Sequence, residues 1–396
     1  MPLATARHRL RFAVCVLALL SLSAPATAET PVLPNETARV DTLPEVSPHW
    51  FLVNDFNGPG TMDSKVYLFD GDSGRMLGML STGVWRNVVE PSPDFSTVYS
   101  PETYYARGTR GERTDTVTFY DTRTLSVRGE AVIPSRRASG MPHRAYSGLS
   151  DDGRFVYVSN MTPANSVSIV DTTEMAFASE IDTAGCAMIY PTGSRSFAAL
   201  CSDGTLQNIL IDDAGALAER SRSARFFDPE VDPVTEKAVR LDTLWYFISF
   251  AGQVHPVDVS ELTPKPRQHW PLLSPEELAA GFRVGGIGFA AVHAATRELY
   301  VIINQDGPDA HKNPGKVVRV YDIDSARQVR SIELAAAAGA IAVSQDPEPL
   351  MYATNMGIPA IFVYDARTGA HLRTIEGPPS TPTFVQVPEW VNNLAP

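Results

Sequence analysis

The sequence has few cysteines and no recognisable cofactor-binding or metal-binding motif. Only three of its 396 residues are cysteines, and none belongs to the Cys-x-x-Cys-His pattern that attaches haem. A glycine-rich phosphate loop, a His-Glu-x-x-His zinc motif and a Gly-x-Ser-x-Gly nucleophile turn are also missing. The eight histidines are scattered, and His311 lies in a polar loop where binding and simple solvation are both open. We therefore expect no catalytic residue, no cofactor and no metal on this chain.

Long hydrophobic runs are also scarce, and the one at the N-terminus is short. Arg7, Arg9 and Arg11 precede an apolar run over residues 12–22, and Ala26-Thr27-Ala28 follows it. The pattern predicts a signal peptide over residues 1–28, cleaved near Ala28, and export to the periplasm. The run is too short to span a bilayer, so we expect no membrane insertion. A membrane anchor is the alternative interpretation.

Basic residues are outnumbered, with 33 Lys and Arg against 45 Asp and Glu. An acidic surface disfavours nucleic acid as a partner, because phosphates need a basic face. Signal cleavage removes Cys15 and leaves Cys186 and Cys201 in an oxidising compartment. An even pair in an exported chain predicts a disulfide.

One short phrase recurs along the chain: a strand of β-branched and aromatic residues that ends in aspartate and leads into a turn. Residues 361–365 are the clearest copy, with Gly369 after them. The seven copies end at Asp70, Asp121, Asp171, Asp212, Asp258, Asp322 and Asp365. Their intervals, roughly 40–50 residues, are typical of propeller blades.

An apolar strand precedes each aspartate turn, and serine-aspartate turns introduce several of these strands, as at residues 92–94, 150–152 and 344–346. Each unit is therefore predicted to have four short antiparallel strands, which bury both faces only when the units stack in a ring. The sequence predicts an all-β fold, a seven-bladed β-propeller. A two-domain β-sandwich is the alternative.

The first unit lacks a strand before Trp50, and residues 382–387 offer one. We expect this C-terminal strand to join the first blade and close the ring. The predicted organisation is a signal peptide over 1–28, an extended leader over 29–48 and a single propeller domain over 49–396. Residues 274–281, between the fifth and sixth units, predict an inserted helix with Ser274 as its N-cap and Pro275 at its first position.

The turn that contains Arg107, Arg110 and Arg113 is rich in guanidinium groups. These side chains could pair with Glu112, Asp115 and neighbouring loops, which is a structural role. They could instead dock an anionic patch of a partner, because guanidinium forks favour carboxylates.

The same turn resembles the large subunits of the tryptophan tryptophylquinone amine dehydrogenases, methylamine and aromatic amine dehydrogenase. The likeness spans most of the chain after the signal peptide. It is carried by Tyr105, Arg107, Arg110, Gly111, Arg113, Thr114 and Asp115, by residues 53–55 and 70–79, and by Cys186 and Cys201. Residues 221–223 and 270–273, Gly285-Gly286 and His311-Lys312 look closer to the aromatic amine branch.

The resemblance implies a cofactor-free periplasmic propeller that binds a small, disulfide-rich subunit in an α2β2 heterotetramer. The small subunit would carry tryptophan tryptophylquinone, made from two of its own tryptophans. Together they would oxidise a primary amine to aldehyde and ammonia and pass electrons to a blue copper protein or a cytochrome c. This chain would then be the large subunit of an oxidoreductase whose chemistry takes place on its partner.

In this family a phenylalanine of the first-blade loop lines the substrate channel. The loop here contains Phe56 two or three positions earlier than the family pattern, among Gly58, Pro59 and Gly60. Phe56 is thus the channel candidate, with packing beneath its own loop as the alternative. The two alternative functions for the chain are a stand-alone binding scaffold without a quinone subunit and a single-chain propeller enzyme.

Overall fold

The structure, a computed structural model, describes residues 41–60, 62–84, 88–141 and 143–388. The predicted signal peptide and most of the predicted leader lie outside these residues. The chain from Thr42 onward forms one compact unit. Among the described residues, no helix is both long and apolar enough to cross a membrane.

The strands of the first four blades follow one another in chain order. Blade 1 contains β1 (Trp50–Asp55), β2 (Lys65–Asp70) and β3 (Met76–Ser81). Blade 2 contains β4 (Glu90–Pro91), β5 (Thr97–Tyr105), β6 (Arg113–Asp121) and β7 (Val127–Ile133). Blade 3 contains β8 (Ser147–Leu149), β9 (Phe155–Asn160), β10 (Ser166–Asp171) and β11 (Ala176–Asp182). Blade 4 contains β12 (Cys186–Gly193), β13 (Ser196–Cys201), β14 (Leu206–Ile211) and β15 (Leu217–Arg222).

The last three blades include two with an extra short strand. Blade 5 contains β16 (Val239–Leu241), β17 (Leu244–Ile248), β18 (Gln253–Asp258), β19 (Lys265–Pro266) and β20 (Trp270–Pro271). Blade 6 contains β21 (Arg283–Val284), β22 (Ala290–His293), β23 (Glu298–Asn304), β24 (Gly315–Asp322) and β25 (Arg327–Ala338). Blade 7 contains β26 (Ala340–Val343), β27 (Leu350–Asn355), β28 (Ile358–Asp365) and β29 (His371–Glu376).

The seven sheets form a β-propeller, as predicted. The first strands of neighbouring blades contact one another, whereas the fourth strands carry mostly exposed residues, as in β15 and β29. The first strands therefore line the centre of the ring. β30 (Pro382–Gln386) completes blade 1 by pairing antiparallel with β1, with Val385 opposite Val53. This confirms that the C-terminal strand joins the first blade.

The recurring aspartate has the same role in every blade. Its carboxylate accepts hydrogen bonds from backbone N–H groups two to four residues further along, at Asp70, Asp121, Asp171, Asp212, Asp258, Asp322 and Asp365. These bonds fix the hairpin between the third and fourth strands, because an Asp side chain can replace a backbone acceptor in a tight turn. The sequence repeat is thus a repeat of turn chemistry.

The serine-aspartate turns also share one arrangement. Ser92, Ser150 and Ser344 each donate a hydrogen bond to the aspartate two residues on, at 2.6–2.8 Å. Each serine hydroxyl also accepts from a backbone N–H at the start of the next strand. The turn between the first two strands is therefore held at both ends.

The hydrophobic core lies between neighbouring blades. The ring of Phe51 in blade 1 stacks on Tyr352 of blade 7, with centroids 4.1 Å apart. Tyr157 of blade 3 packs against Phe197 of blade 4 with tilted rings, whose centroids are 4.7 Å apart. These rings are almost fully buried, and burial of one such side chain stabilises the fold by roughly 1.5–3 kcal/mol.

Two local predictions can be compared directly with the structure. Cys186 and Cys201 lie opposite each other in β12 and β13 and form the expected disulfide. The inserted helix is α1 (Pro275–Ala279), whose N-cap Ser274 accepts from the backbone of Glu277 while Glu277 accepts from Ser274. The predicted helix start is confirmed, and its capping box explains why so short a helix forms.

The seam between blades 1 and 7 contains a charged histidine. His49 Nδ1 lies 2.7 Å from Asp72, and Nε2 lies 3.1 Å from Asp346 of blade 7. Burial alone lowers the pKa of His49, but the hydrogen bonds and charges of the two carboxylates outweigh it and raise the pKa. Both ring nitrogens face acceptors, so His49 is an imidazolium that joins the two blades.

We expect the variant His49→Gln to lose more stability at pH 6 than at pH 8.5. Because the folded-state pKa of His49 is raised, its protonated form stabilises the folded protein. This contribution is complete below the unfolded-state pKa, near 6.5, and disappears as the pH rises through the folded-state pKa. Thermal unfolding of wild type and variant across this range tests it. A pH-independent difference between the two would contradict a role for the imidazolium charge.

Candidate functional site

Two loops on one face of the propeller carry the predicted site residues. The loop at residues 56–64 connects β1 to β2 and contains Phe56, and the turn at residues 106–112 connects β5 to β6 and contains Arg107 and Arg110. Both join the second and third strands of their blades and so leave the ring on the same side. The loops touch, because a Cβ atom at Gly108 would lie 2.8 Å from the side-chain end of Met62.

The loop of Phe56 is fastened by a buried carboxylate. Asp55 accepts hydrogen bonds from the backbone N–H groups of Asn57, Ser380 and Thr381, at 2.7–3.0 Å. The loop is thereby tied to the residues that lead into the closing strand β30. The Phe56 side chain is only 8% exposed, so in the free chain most of its surface is already packed. Its role in a channel remains a prediction.

The arginine turn divides into one fixed residue and two exposed ones. Arg113 donates two hydrogen bonds of 2.8 Å to the fully buried carboxylate of Asp115. It also donates to the carbonyl of Arg137 at 2.8 Å. Asp115 further accepts from the Thr103 hydroxyl and from the backbone N–H of Arg137. This network ties blade 2 to the connection that leads into blade 3.

Arg107 and Arg110 lie at the exposed tip of the turn. Within the described part of the chain, neither guanidinium group forms an ion pair or a side-chain hydrogen bond. The turn itself is held by backbone hydrogen bonds such as Arg107 N–H to Arg110 C=O at 3.0 Å. Gly108 and Gly111 have φ values of +76° and +99°, which favour glycine. The backbone of the turn therefore holds the guanidinium groups of Arg107 and Arg110 exposed to solvent.

A groove between blades 1 and 2 opens beside these loops. Its volume is about 460 Å³, within the usual range for binding pockets. We call it the inter-blade groove; its lining residues are Met62, Asp63, Met79, Leu80, Ser81, Gly83, Tyr104, Tyr120, Leu125, Val127 and Glu130. Several of its apolar side chains face solvent, and Val127 is 53% exposed. Such exposed apolar surface with a polar rim is typical of protein contact sites.

A fully buried acid, Glu102, lies beneath the groove. It accepts hydrogen bonds from the hydroxyls of Tyr104 and Thr118, and its other oxygen lies 2.9 Å from the Tyr120 hydroxyl. Tyr120 has one O–H group, and the carbonyl of Ser81 lies 2.8 Å from the same hydroxyl oxygen. If Tyr120 donates to Ser81, Glu102 must itself donate to Tyr120. Burial raises the pKa of Glu102, and the hydrogen bonds that its carboxyl group accepts oppose part of this rise.

Sequence reasoning found the arginine turn but missed the groove and Glu102. The groove joins side chains from two blades, and Met79 and Val127 are solvent-facing residues on separate strands. Glu102 could have been noticed, because it occupies a buried position within β5. An acid at such a position indicates either a partner cation or a bound proton.

The chain is similar to known proteins over most of its length. The sequence profile of the family "Methylamine dehydrogenase heavy chain (MADH)" matches residues 52–387. The methylamine dehydrogenase heavy chain of Methylophilus methylotrophus is 29% identical over 332 residues, covering 82% of this chain and 80% of that one. That of Methylobacillus flagellatus is 28% identical over 360 residues, covering 89% and 86%. The closer likeness to the aromatic amine branch stays a prediction.

Solved structures share the fold at low sequence identity. The dihydro-haem d1 dehydrogenase NirN superimposes with a TM-score of 0.55 at 16% identity, over 85% of this chain and 75% of that one. A protein of unknown function from Desulfotomaculum acetoxidans gives a TM-score of 0.56 at 12% identity, over 86% and 98%. At these identities the likeness supports the fold alone.

We expect the variants Arg113→Gln and Arg110→Gln to distinguish a structural role of Arg113 from a partner-docking role of Arg110. Removing Arg113 takes two charge-assisted hydrogen bonds from the buried Asp115, which should cost about 3 kcal/mol of stability even though the charge of Arg137 stays nearby. Removing Arg110 breaks no ion pair of the described residues, so the unfolding midpoint should stay within error. Thermal unfolding of the isolated chain checks both. Equal destabilisation by the two variants would show that the whole turn is structural.

We expect Glu102→Gln to be at least as stable as wild type at pH 8. Because the folded-state pKa of Glu102 is raised, wild-type stability falls as pH increases from about 4.5 through that pKa. Glutamine keeps the donor and acceptor pattern and cannot ionise. The midpoint difference between variant and wild type should therefore grow with pH in thermal scans from pH 4.5 to 8. A variant equally destabilised at every pH would contradict a raised folded-state pKa of Glu102.

Proposed function

We propose that this chain, which belongs to the methylamine dehydrogenase heavy chain family, is the large subunit of a periplasmic amine dehydrogenase. The match over residues 52–387 carries this proposal. It covers all seven blades, from β1 to the closing strand β30, and both site loops. The two relatives described above are methylamine dehydrogenase heavy chains, and the match covers 80% or more of the length of each.

The reaction we propose is oxidation of a primary amine to an aldehyde and ammonia. Tryptophan tryptophylquinone on the small subunit would supply the electron-accepting chemistry, and a blue copper protein or a cytochrome c would take the electrons onward. We assign no residue of this chain to hold the quinone. The part of this chain is to bind and orient the small subunit and to exclude water from one side of the substrate channel.

The small subunit would dock on the inter-blade groove and the arginine turn. The groove offers exposed apolar side chains that a partner can cover. Arg107 and Arg110 lie beside it and form no ion pair with any other described residue. An apolar centre with charged residues at its edge is the usual composition of a protein interface. In this position the small subunit would meet the loop of Phe56, which is tied through Asp55 to the closing strand.

The direct test is to purify the tagged chain from its own host's periplasm. We expect a small, cysteine-rich chain to co-purify, with a visible absorption band that a primary amine bleaches in the absence of an electron acceptor. Intact masses and spectra before and after a series of amines provide the measurement. A lone, colourless chain that does not react with amines under inducing growth would instead favour a stand-alone scaffold.

The docking site has its own matched pair of variants. Val127 lines the groove and Val329 lies on the fourth strand of blade 6, and their exposures are 53% and 51%. Val127→Glu should weaken binding of the small subunit by at least about tenfold, because a charge must then be buried at an apolar contact. Val329→Glu should bind normally. Affinity of purified subunits checks the pair, and equal binding by both variants would place the docking site elsewhere.

A further inference from the structure

A second group of charged residues lies on the innermost strand of blade 5, away from the groove. Val234 pairs with Ser249 and β16 begins at Val239, so Glu236 and Lys237 occupy the bulge between these two pairings. His143, from the connection into blade 3, lies 2.8 Å from a carboxylate oxygen of Glu236. Burial opposes ionisation of Glu236, but His143 and Lys237 lower its pKa to about 2. Glu236 is therefore an anion whose main partner is His143.

Among the described residues, the ammonium group of Lys237 has one distant ion-pair partner and no hydrogen-bond acceptor. Its side chain is 7% exposed, and its nearest acid oxygen, on Glu236, is 3.4 Å away. That is long for a charge-assisted hydrogen bond, which is usually about 2.7–2.9 Å. Nζ has no hydrogen-bond partner among the described residues, although an ammonium carries three donors. Its other neighbour is the ring of Phe289 in blade 6, 5.6 Å from Nζ, which cannot replace an oxygen acceptor.

His311 supplies a second buried nitrogen without a partner. Its ring stacks on Phe250 at 3.7 Å between centroids, and its Nδ1 is buried with no hydrogen-bond partner in the described part of the chain. Burial lowers the pKa of His311, and the charges of Lys237 and Lys312 lower it further. Lys312 also lowers the pKa of Lys237, after burial itself. Phe250, on which His311 stacks, donates its backbone N–H to the carbonyl of Pro233, four residues before Lys237. Gly286, three residues before Phe289, donates to the carbonyl of His311. Lys237 and His311 therefore pack against the same two segments.

We propose that Lys237, His311 and Lys312 bind a small oxyanion, of the phosphate or carboxylate type, between blades 5 and 6. Two carboxylates, Glu236 and Asp309, lie near these groups, and Glu236 is already engaged by His143. Nζ of Lys237 and Nδ1 of His311 still have no hydrogen-bond acceptor among the described residues. An oxyanion would accept hydrogen bonds from Nζ of Lys237 and from the Nδ1–H tautomer of His311. It would also satisfy two buried polar groups that otherwise cost stability. Nothing in this site depends on the quinone subunit.

The test uses the mature chain alone, at constant ionic strength, with inorganic phosphate and acetate as probes. A ligand that binds only the folded state raises the unfolding midpoint saturably, by about 4 °C at a hundredfold excess over Kd for a domain of this size. Isothermal titration calorimetry gives Kd directly. Phosphate and acetate distinguish a tetrahedral from a planar oxyanion. We expect at least one of them to bind with a saturable isotherm.

Matched variants assign that binding to the cluster. Lys237→Met should abolish the midpoint shift, whereas Lys316→Met, at an exposed position of β24 in blade 6, should preserve it. His311→Phe keeps a ring that can stack on Phe250 and should weaken oxyanion binding about tenfold. This variant tests the same site if Lys237→Met fails to fold. Absence of saturable binding by both probes would overturn the proposal. Unchanged affinity in Lys237→Met or His311→Phe would overturn it as well.

Discussion

The antiparallel pairing of β30 with β1 is the contact on which the rest of the structure depends. A four-stranded blade cannot bury both faces by itself, and each blade here packs aromatic side chains against the next. The stack of Phe51 on Tyr352 exists only because blade 1 meets blade 7. Residues more than three hundred positions apart are joined at this seam, where His49 adds a charged contact to Asp346. Closure of the ring therefore lets each of the seven sheets bury its faces against two neighbouring sheets.

A rigid ring lets short loops act as fixed recognition elements. The carboxylate of Asp55 ties the loop of Phe56 to the residues before the closing strand, so the seam also positions the proposed channel wall. The network of Arg113 and Asp115 fixes the base of the neighbouring turn and leaves Arg107 and Arg110 exposed at its tip. If the small subunit docks here as proposed, fold stability and partner recognition fall to different arginines of one turn.

Features that a repeated motif or a residue pair indicates could be predicted from the sequence. Contacts between unrelated positions on different blades could not. The aspartate hairpins were predictable because each carboxylate bonds to its own turn, and the missing strand before Trp50 indicated the closing strand. The disulfide was predicted from the even pair of cysteines that follows the predicted signal peptide. The inter-blade groove was not predictable, because Met79 and Val127 face solvent on different blades. Lys237 resembles an ordinary exposed lysine in the sequence, and only its position in a bulge at the ring centre buries it.

The most direct test of the central claim is hydrogen–deuterium exchange on the chain alone and in complex with its small subunit. The account predicts slower exchange in the complex at residues 56–64 and 104–113 and in the strands that border the groove. The aspartate hairpins, such as residues 171–176 on the opposite face, should exchange at the same rate in both states. Protection confined to that opposite face, with the two loops unchanged, would contradict the proposed docking site.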